Sequence, residues 1–144
     1  MNIKQISVFL ENSPGTLKAM TDVLAQSHID MRALSLAETM EFGIVRIIVN
    51  NVYAATTALK DAGFVHSVNS VLGVAIPDEP GGLSQVLGVL DDAGVNAEYM
   101  YAFLGGRTAD HAYMIFRVQD NAAAAAALKT GGIRLVEQEE IAQL

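Results

Sequence analysis

Two short loops in the sequence carry a proline, a glycine and polar side chains in an order that suits binding of a small charged molecule. The first loop is residues 11–17, with Pro14 and Gly15 directly before a helical pattern. A helix N-terminus presents unpaired N–H groups and the positive end of the helix dipole, so it attracts a carboxylate or a phosphate. Glycine lets a ligand approach the backbone without a Cβ atom in the way. Asn12 stands beside these groups and offers an acceptor for an ammonium group.

The second loop, residues 77–83, repeats the proline and the glycine and carries Asp78 where the first has Asn12. Asp30 and Asn96 also occupy matching positions, each at the start of a predicted strand. A zwitterionic amino acid needs donors for its carboxylate and acceptors for its ammonium group. Each loop, together with its strand start, offers both kinds of group. The pattern therefore predicts an amino-acid site in each half of the chain.

The same loops also fit a purely structural interpretation. Pro-Gly is common in turns, and Asn or Asp often begins a turn. Ser13 and Glu79 are predicted as helix N-caps, with the following proline at the first helical position. The loops alone leave both interpretations open, because short motifs match by chance. The predicted ligand-binding residues are Asn12, Ser13, Gly15, Thr16, Leu17, Asp30, Asp78, Glu79, Gly81, Gly82, Leu83 and Asn96.

Other residues that could do chemistry lack suitable partners. The three histidines, His28, His66 and His111, fall at non-equivalent places, and a metal site needs several converging ligands. The chain has no cysteine, no Gly-rich phosphate loop and no nucleophile motif with an ordered base. Asp91 and Asp92 are interpreted as solvated charges on the outer side of a helix. We therefore predict no catalytic residue, no metal site and no cofactor.

The two loops belong to two copies of one longer pattern. Residues 6–34 align with residues 72–100 at a constant offset, which Pro14 and Pro80 give as 80 − 14 = 66. After the third predicted element the offset becomes 114 − 45 = 69, since Val45 aligns with Met114. Three extra residues therefore fall in the loop at 105–111. Its Gly105-Gly106-Arg107 segment could contact an anion or form a flexible turn, and the turn is favoured. A constant offset with one insertion in a loop indicates duplication.

Each copy shows the order strand, helix, strand, strand, helix, strand. Alternating apolar residues predict strands at 6–10, 31–37, 44–49 and 65–71, and again at 72–76, 97–104, 113–118 and 135–138. Asn51 and Asp120 are predicted to cap the second helices, and Gly63 and Gly132 to end them. This order is typical of the ferredoxin-like fold, an α+β architecture in which helices cover one face of an antiparallel sheet. The predicted domains are residues 1–70 and 71–144.

Composition limits the possible partners. Hydrophobic residues make up 51% of the chain and charged residues 17%, and the mean hydropathy is +0.32. This balance predicts apolar surface that is covered by self-association, most simply in a homodimer. Nine scattered Lys and Arg residues and a net charge of −7 argue against nucleic acid as a partner. No apolar run approaches the roughly 18 residues of a membrane span, and no signal peptide is visible, so a cytoplasmic location is expected.

The pattern E-N-S-P-G-T-L, followed by an amphipathic helix and H-I-D-M, resembles the ACT domain. The second copy repeats it as P-D-E-P-G-G-L and G-V-N-A, so nearly the whole chain resembles two ACT domains in tandem. The resemblance implies binding of small ligands, mostly amino acids, and regulation of enzymes of amino-acid metabolism. It also implies that domains associate side by side with these loops facing each other, so the amino acid is expected where the loop at 12–17 faces the loop at 78–83 or a loop of a symmetry mate. By similarity to the serine-binding ACT domain of phosphoglycerate dehydrogenase, Asn12, Asp30, Asp78 and Asn96 match polar ligand-binding positions.

One contact of that relative is missing, because its histidine two residues before Asn12 is Leu10 here and Ile76 in the second copy. The exchange favours a ligand with a larger or more apolar side chain. We therefore expect a non-catalytic sensor that binds an amino acid and regulates a metabolic enzyme. The alternative is a pair of ACT domains without a ligand that acts as a docking subunit through protein–protein contacts.

Overall fold

The computed structural model describes residues 2–105 and 111–144, and it divides the chain into two compact units. The N-terminal unit is Lys4–Asn69. The C-terminal unit contains Ser70–Leu144 together with Ile3 from the start of the chain. Most of the loop that carries the three extra residues lies outside the described residues. No helix in the described part of the chain has the length and apolar character needed to cross a membrane.

The N-terminal unit has the predicted order of elements. These are β1 (Asn2–Glu11), α1 (Thr16–Gln26), β2 (Met31–Glu38), β3 (Phe42–Val49), α2 (Val52–Asp61) and the beginning of β4 (His66–Pro77). β3 lies between β1 and β2 and is antiparallel to both. β4 neighbours β1 on the other side, and the Phe9 N–H donates to the Val65 carbonyl at 2.9 Å where the two strands meet.

The C-terminal unit repeats this arrangement. It contains the rest of β4, followed by α3 (Gly82–Asp92), β5 (Ala97–Ala102), β6 (His111–Val118), α4 (Asn121–Thr130), β7 (Arg134–Val136) and a 3₁₀ helix (Gln138–Gln143). β6 is antiparallel to β4 and β5, and β7 pairs with the opposite edge of β4. The predicted fold class, two ferredoxin-like units in tandem with helices on one face of each sheet, is confirmed.

Each unit buries the apolar face that its periodicity predicts. In the N-terminal unit, Val45, Ile47 and Val49 of β3 pack with Met20 and Leu24 of α1. The C-terminal core is built in the same way from strand and helix residues: Val74, Phe116 and Val118 pack with Val86, Leu90 and Leu128. The apolar faces of the helices therefore pack against the sheet. The strand ends and the loops remain accessible to a ligand.

The strand register confirms the internal repeat. Val8 pairs with Val45 in the first copy, and Val74 pairs with Met114 in the second. Both copies also shift register at the equivalent point, between Met31 and Ala33 and between residues 97 and 99. Residues that align between the copies, at an offset of 66 before the inserted loop and 69 after it, therefore also occupy equivalent positions in the strand pairing.

Three local predictions need correction. The strands predicted at 65–71 and 72–76 are one continuous strand, β4, because no residue between them breaks the extended backbone. β3 begins at Phe42 rather than at Ile44, which adds Gly43 to the strand. The last strand ends at Val136, since the following residues form a 3₁₀ helix that is closed by a reciprocal capping box between Glu137 and Glu140.

Candidate functional site

The loop before each first helix is a tight turn. The Thr16 N–H donates to the Ser13 carbonyl at 3.4 Å, and Gly15 has φ 89° and ψ −13°. In the second copy the Gly82 N–H donates to the Glu79 carbonyl at 3.0 Å, and Gly81 has φ 87° and ψ −5°. Proline at the second position and a positive-φ glycine at the third are the signature of a type II turn. The glycine, and not the residue before the proline, is therefore the N-cap.

This geometry corrects the prediction that Ser13 and Glu79 cap the first helices. Proline and glycine form the turn, so each helix begins one residue after the glycine. Neither first helix receives a hydrogen bond from a capping side chain, and neither has an acidic residue in its first turn. α2 and α4 differ, since the Asn51 and Asp120 side chains accept hydrogen bonds from the Ala54 and Ala123 N–H groups, as predicted. The positive ends of α1 and α3 are thus left without a side-chain anion or acceptor.

The two copies close the turn with different residues at the helix start. In the first copy the Thr16 hydroxyl donates to the carbonyls of Glu11 at 2.8 Å and of Ser13 at 3.0 Å. The equivalent residue in the second copy is Gly82, which is buried against the carbonyl group of Pro77. A Cβ atom at this position would overlap the Pro77 oxygen. In the first copy the threonine hydroxyl stabilises the turn by hydrogen bonds. In the second copy the glycine allows the helix start to pack directly against the Pro77 carbonyl.

A cavity of about 190 Å³ lies beside the first turn of α1. It contains four of the predicted site residues, Asn12, Ser13, Thr16 and Leu17. The remaining lining residues come from the three neighbouring strands: Leu10, Glu11, Leu36, Glu38 and Gly43. Predicted loop residues and unpredicted strand residues therefore meet around one space.

The strand register explains why this space exists. Leu10 of β1 pairs with Gly43 of β3, and Gly43 pairs with Glu38 of β2, so the three residues form one row across the sheet. Directly opposite residues share a face, and buried Leu10 shows that this face is turned towards the helices. Since Gly43 has no side chain, the middle of the row is hollow. Glu38 is exposed and places a carboxylate at the rim.

Asn12 fastens the loop to the turn between β2 and β3. Its Nδ2 donates to the Thr39 carbonyl at 3.2 Å, and its backbone N–H donates to the Glu41 carbonyl at 3.1 Å. The Asn12 nitrogen is thereby committed to the protein, so its amide oxygen is the atom that is left to accept from a ligand. The same contacts hold the loop next to the strand end that carries Glu38.

The second copy has a cavity at the equivalent place, of about 500 Å³. Four of its lining residues, Asp78, Ala102, Leu104 and Ala112, align with Asn12, Leu36, Glu38 and Gly43 of the first. The acidic group changes position between the copies: Glu38 at the end of β2, with Glu11 at the end of β1, supplies it in the first cavity, whereas Asp78 in the loop after β4 supplies it in the second. Each cavity thus has one carboxylate from these four positions, and both are potential acceptors for an ammonium group.

The structure does not bring Asp30 to this cavity. Asp30 precedes β2, and its carbonyl accepts from the Asn50 N–H at 3.1 Å, at the far end of β3 from Gly43. Seven residues of extended strand separate these two ends, a distance of roughly 20 Å. The Asp30 carboxylate also forms an ion pair with Arg32 at 2.9 Å. A ligand held by Asn12 is therefore out of reach of Asp30 in the same unit.

Asn96 is separated from Asp78 in the same way. Asp78 follows the end of β4 that pairs with His111, whereas Asn96 precedes the end of β5 that pairs with Val118. Asn96 instead lines another cavity, of about 320 Å³, with Glu98 and the Asp120 N-cap of α4. Asp30 and Asn96 remain predicted ligand-binding residues without geometric support inside either unit.

The remaining predicted residues have mainly backbone roles. Glu79 is exposed, and its N–H donates to the Pro77 carbonyl at 2.9 Å within the turn. Gly15 and Gly81 supply the positive φ of the two turns. Leu83 is 36% exposed and, unlike its equivalent Leu17, is not among the residues that line the cavity of its copy.

The sequence analysis does not predict that Glu38, Leu36 and Gly43 line this cavity. A usable signal was present, because Gly43 continues the alternation of Val45, Ile47 and Val49 on the helix-facing side. Within residues 2–105 and 111–144, no three His, Asp or Glu side chains are grouped closely enough to hold a metal ion. What the described residues do assemble is a cavity in each unit with a carboxylate on its border, and in the first unit the start of α1 also lines the cavity.

Comparison with known proteins places this architecture. Protein BT0572 from Bacteroides thetaiotaomicron is 37% identical, with a TM-score of 0.92 over 100% of this chain and 98% of that one. The ligand-free regulatory subunit of aspartate kinase from Thermus thermophilus is 15% identical, with a TM-score of 0.62 over 89% of this chain and 91% of that one. Aspartate kinase from Synechocystis is 19% identical, with a TM-score of 0.60 over 93% of this chain and 26% of that one. The latter two share the fold. No curated protein sequence matches the chain significantly.

The family described as the ACT domain pair matches residues 1–144, the full length of the sequence. Its description agrees with the two units, the repeated strand register and the paired loops found above. The protein therefore belongs to the ACT domain pair family.

Proposed function

We propose that this protein is a non-catalytic sensor that binds an amino acid and regulates an enzyme of amino-acid metabolism. The observation that carries the proposal is the first-copy cavity, in which the uncapped start of α1 meets the Glu38 carboxylate. A zwitterion presents one negative and one positive group, and this border offers a partner for each. Membership of the ACT domain pair family supports the same function.

The ligand is oriented by its two charges. Its carboxylate is placed at the first-turn N–H groups of α1, which no capping side chain occupies. Its ammonium group is placed between the Asn12 amide oxygen and the Glu38 carboxylate. Glu38 thus takes the role that is predicted for Asp30 in the sequence analysis, because it lies on the same border as Asn12.

The test begins with a thermal-shift screen of the twenty amino acids against the whole chain, since a ligand that binds only the folded state raises its stability. Calorimetry with the selected amino acid then compares wild type with Glu38→Gln. Loss of a charged hydrogen-bond partner costs about 1.5–3 kcal/mol, so the affinity should fall about ten- to a hundredfold. Asn12→Ala is a weaker test, because it also removes the contact with Thr39.

Glu41→Gln is the matched control, since it makes the same charge change on the neighbouring turn and does not line the cavity. Its affinity should equal that of wild type. Equal binding by wild type and Glu38→Gln would exclude the proposed position of the ammonium group. If no amino acid binds at millimolar concentration, the sensor function itself is wrong.

A docking subunit without a ligand is the second candidate, and one surface favours it. An apolar cavity of about 360 Å³ is lined by Phe9, Ala37, Glu38, Thr39, Phe42 and Ile44. Phe9 and Phe42 are both exposed in the described structure, and exposed apolar patches usually mark contacts with other proteins. The proposal also includes a homodimer in the cytoplasm, with a metabolic enzyme as the regulated partner. Absence of amino-acid binding together with capture of such an enzyme would favour the docking function.

A further inference from the structure

The size and wall of the first-copy cavity narrow the class of ligand. We propose that it selects amino acids with short aliphatic side chains, of about the size of alanine to valine, and that Gly43 and Leu36 set this limit. The inference rests on the proposed amino-acid binding and deepens it. The volume of about 190 Å³ is below the roughly 300–1,000 Å³ of sites for drug-sized ligands, so only a small molecule fits.

The wall is apolar where a ligand side chain would lie. Leu10 and Leu17 come from the core-facing sides of β1 and α1, and Leu36 from β2. The nearby Thr16 hydroxyl directs its hydrogen at two backbone carbonyls. A polar ligand side chain would lose its water without gaining a matched partner from the leucines, which is unfavourable. An aliphatic side chain buries apolar surface there and is favoured.

Gly43 forms the floor of the cavity. A Cβ atom built on Gly43 lies 3.5 Å from Leu36 Cδ1, 3.9 Å from the Ala37 oxygen and 4.0 Å from the Leu10 oxygen. These are ordinary contact distances, and the φ of Gly43 is not positive, so alanine is accommodated without strain. The added methyl group takes space from the ligand and not from the protein. Gly43 is therefore a position where size selection can be changed while the fold is kept.

Leu36 forms the side wall. It is 53% exposed, so its truncation removes little buried surface from the core. The second copy carries alanine at the positions of both residues, Ala112 for Gly43 and Ala102 for Leu36, and its cavity is larger, at about 500 Å³.

The experiment measures affinities of L-alanine, L-valine, L-leucine and L-phenylalanine for wild type, Gly43→Ala and Leu36→Ala by calorimetry on the whole chain. Wild type should prefer alanine or valine over leucine and phenylalanine. Gly43→Ala should weaken valine at least tenfold, in the range of about 10–200-fold for one methylene in an apolar pocket, and change alanine much less. Leu36→Ala should shift the preference towards leucine.

Gly88→Ala is the control, because it adds the same methyl group in α3 where no atom lies within 4 Å. It should leave the affinities of the four amino acids unchanged, and melting curves of all variants without ligand establish that they fold. Binding of an amino acid with unaltered selectivity in both cavity variants would overturn the inference while leaving the sensor function intact. A preference of wild type for phenylalanine or for charged amino acids would overturn it as well. If no amino acid binds at all, the sensor function and this inference fail together.

Discussion

Thr16 and Gly82 occupy equivalent positions but are not interchangeable. The Gly82 backbone lies so close to the Pro77 carbonyl that a Cβ atom would overlap the oxygen, and its other near neighbour is the Ile76 side chain. Backbone atoms cannot move away as a flexible side chain can. Thr16 avoids this conflict in the first copy because its turn is wide enough for the hydroxyl to reach Glu11.

We expect Gly82→Ala to lower the free energy of unfolding by about 1–3 kcal/mol, the usual cost of overpacking. Gly88→Ala, six residues further along α3, is the matched substitution at an exposed position with open space. It should raise the free energy of unfolding by about 0.5–1 kcal/mol, since alanine is the better helix former. Urea unfolding of both variants measures the difference, and equal effects would contradict the close approach at Gly82.

The residue types of the site could be predicted only in part. Asn12, Ser13, Thr16 and Leu17, which line the first cavity, are predictable because proline and glycine mark the turn in the sequence itself. Glu38 and Gly43 are not, since their position depends on which residues lie opposite one another in the sheet. Asp30 is the opposite case, a predicted residue that does not line the cavity. The motif does not reveal that the length of a strand separates Asp30 from Asn12.

Among the elements, the C-terminal 3₁₀ helix begins with a capping box in which Glu140 also binds a neighbouring arginine. Glu140 accepts from the Glu137 N–H at 3.0 Å and from Arg134 Nη1 at 2.9 Å. The backbone hydrogen bond from Glu137, and then that from Arg134, lower the pKa of Glu140 below its ordinary value. The hydrogen bond with Glu140 also raises the pKa of Arg134.

This pair makes the stability of the C-terminal segment depend on pH. A carboxyl group whose pKa is lowered by folding stabilises the native state above its unfolded pKa, and that contribution is lost as the pH falls through the folded pKa. Glu140→Gln should therefore lower the melting temperature by a few degrees at pH 7, since partly exposed ion pairs contribute little. The difference from wild type should shrink as the pH falls below about 4, the ordinary range for glutamate.

Glu139→Gln is the control for net charge, because Glu139 is an exposed residue of the same 3₁₀ helix. Its melting temperature should stay close to that of wild type throughout the titration. A constant difference between Glu140→Gln and wild type from pH 7 to pH 3 would show that the lowered pKa does not contribute to stability.

The order and type of the elements are predictable because the same helix and strand periodicities occur in both copies. The residues at which the elements begin and end are not predictable in this way. Nothing local distinguishes residues 65–76 as one strand from two, and the structure has an unbroken strand over His66–Pro77. The sequence predicts that the first helices start two residues too early, because Pro-Gly occurs both inside turns and at helix starts.

For the whole molecule, we propose self-association through surface that the chain leaves apolar. Met40 is 95% exposed, Phe42 58% and Phe9 44%. Phe9 and Phe42 border one apolar cavity with Ala37 and Ile44. Only 17% of the residues are charged, so few charges are available to keep such a patch solvated. Burial of the patch against a second copy removes it from water, and twofold symmetry closes the assembly.

We therefore expect light scattering at micromolar concentration to return twice the chain mass of 15.3 kDa. Phe42→Ser should shift the mass towards that of one chain, because it places a hydroxyl group in the apolar patch. Tyr53→Ser is the matched control, since Tyr53 is 82% exposed on α2 and lines none of the cavities described above. Its mass should stay that of wild type. A wild-type mass of 15.3 kDa would exclude the dimer, and a dimer that Phe42→Ser leaves intact would place its interface on another surface.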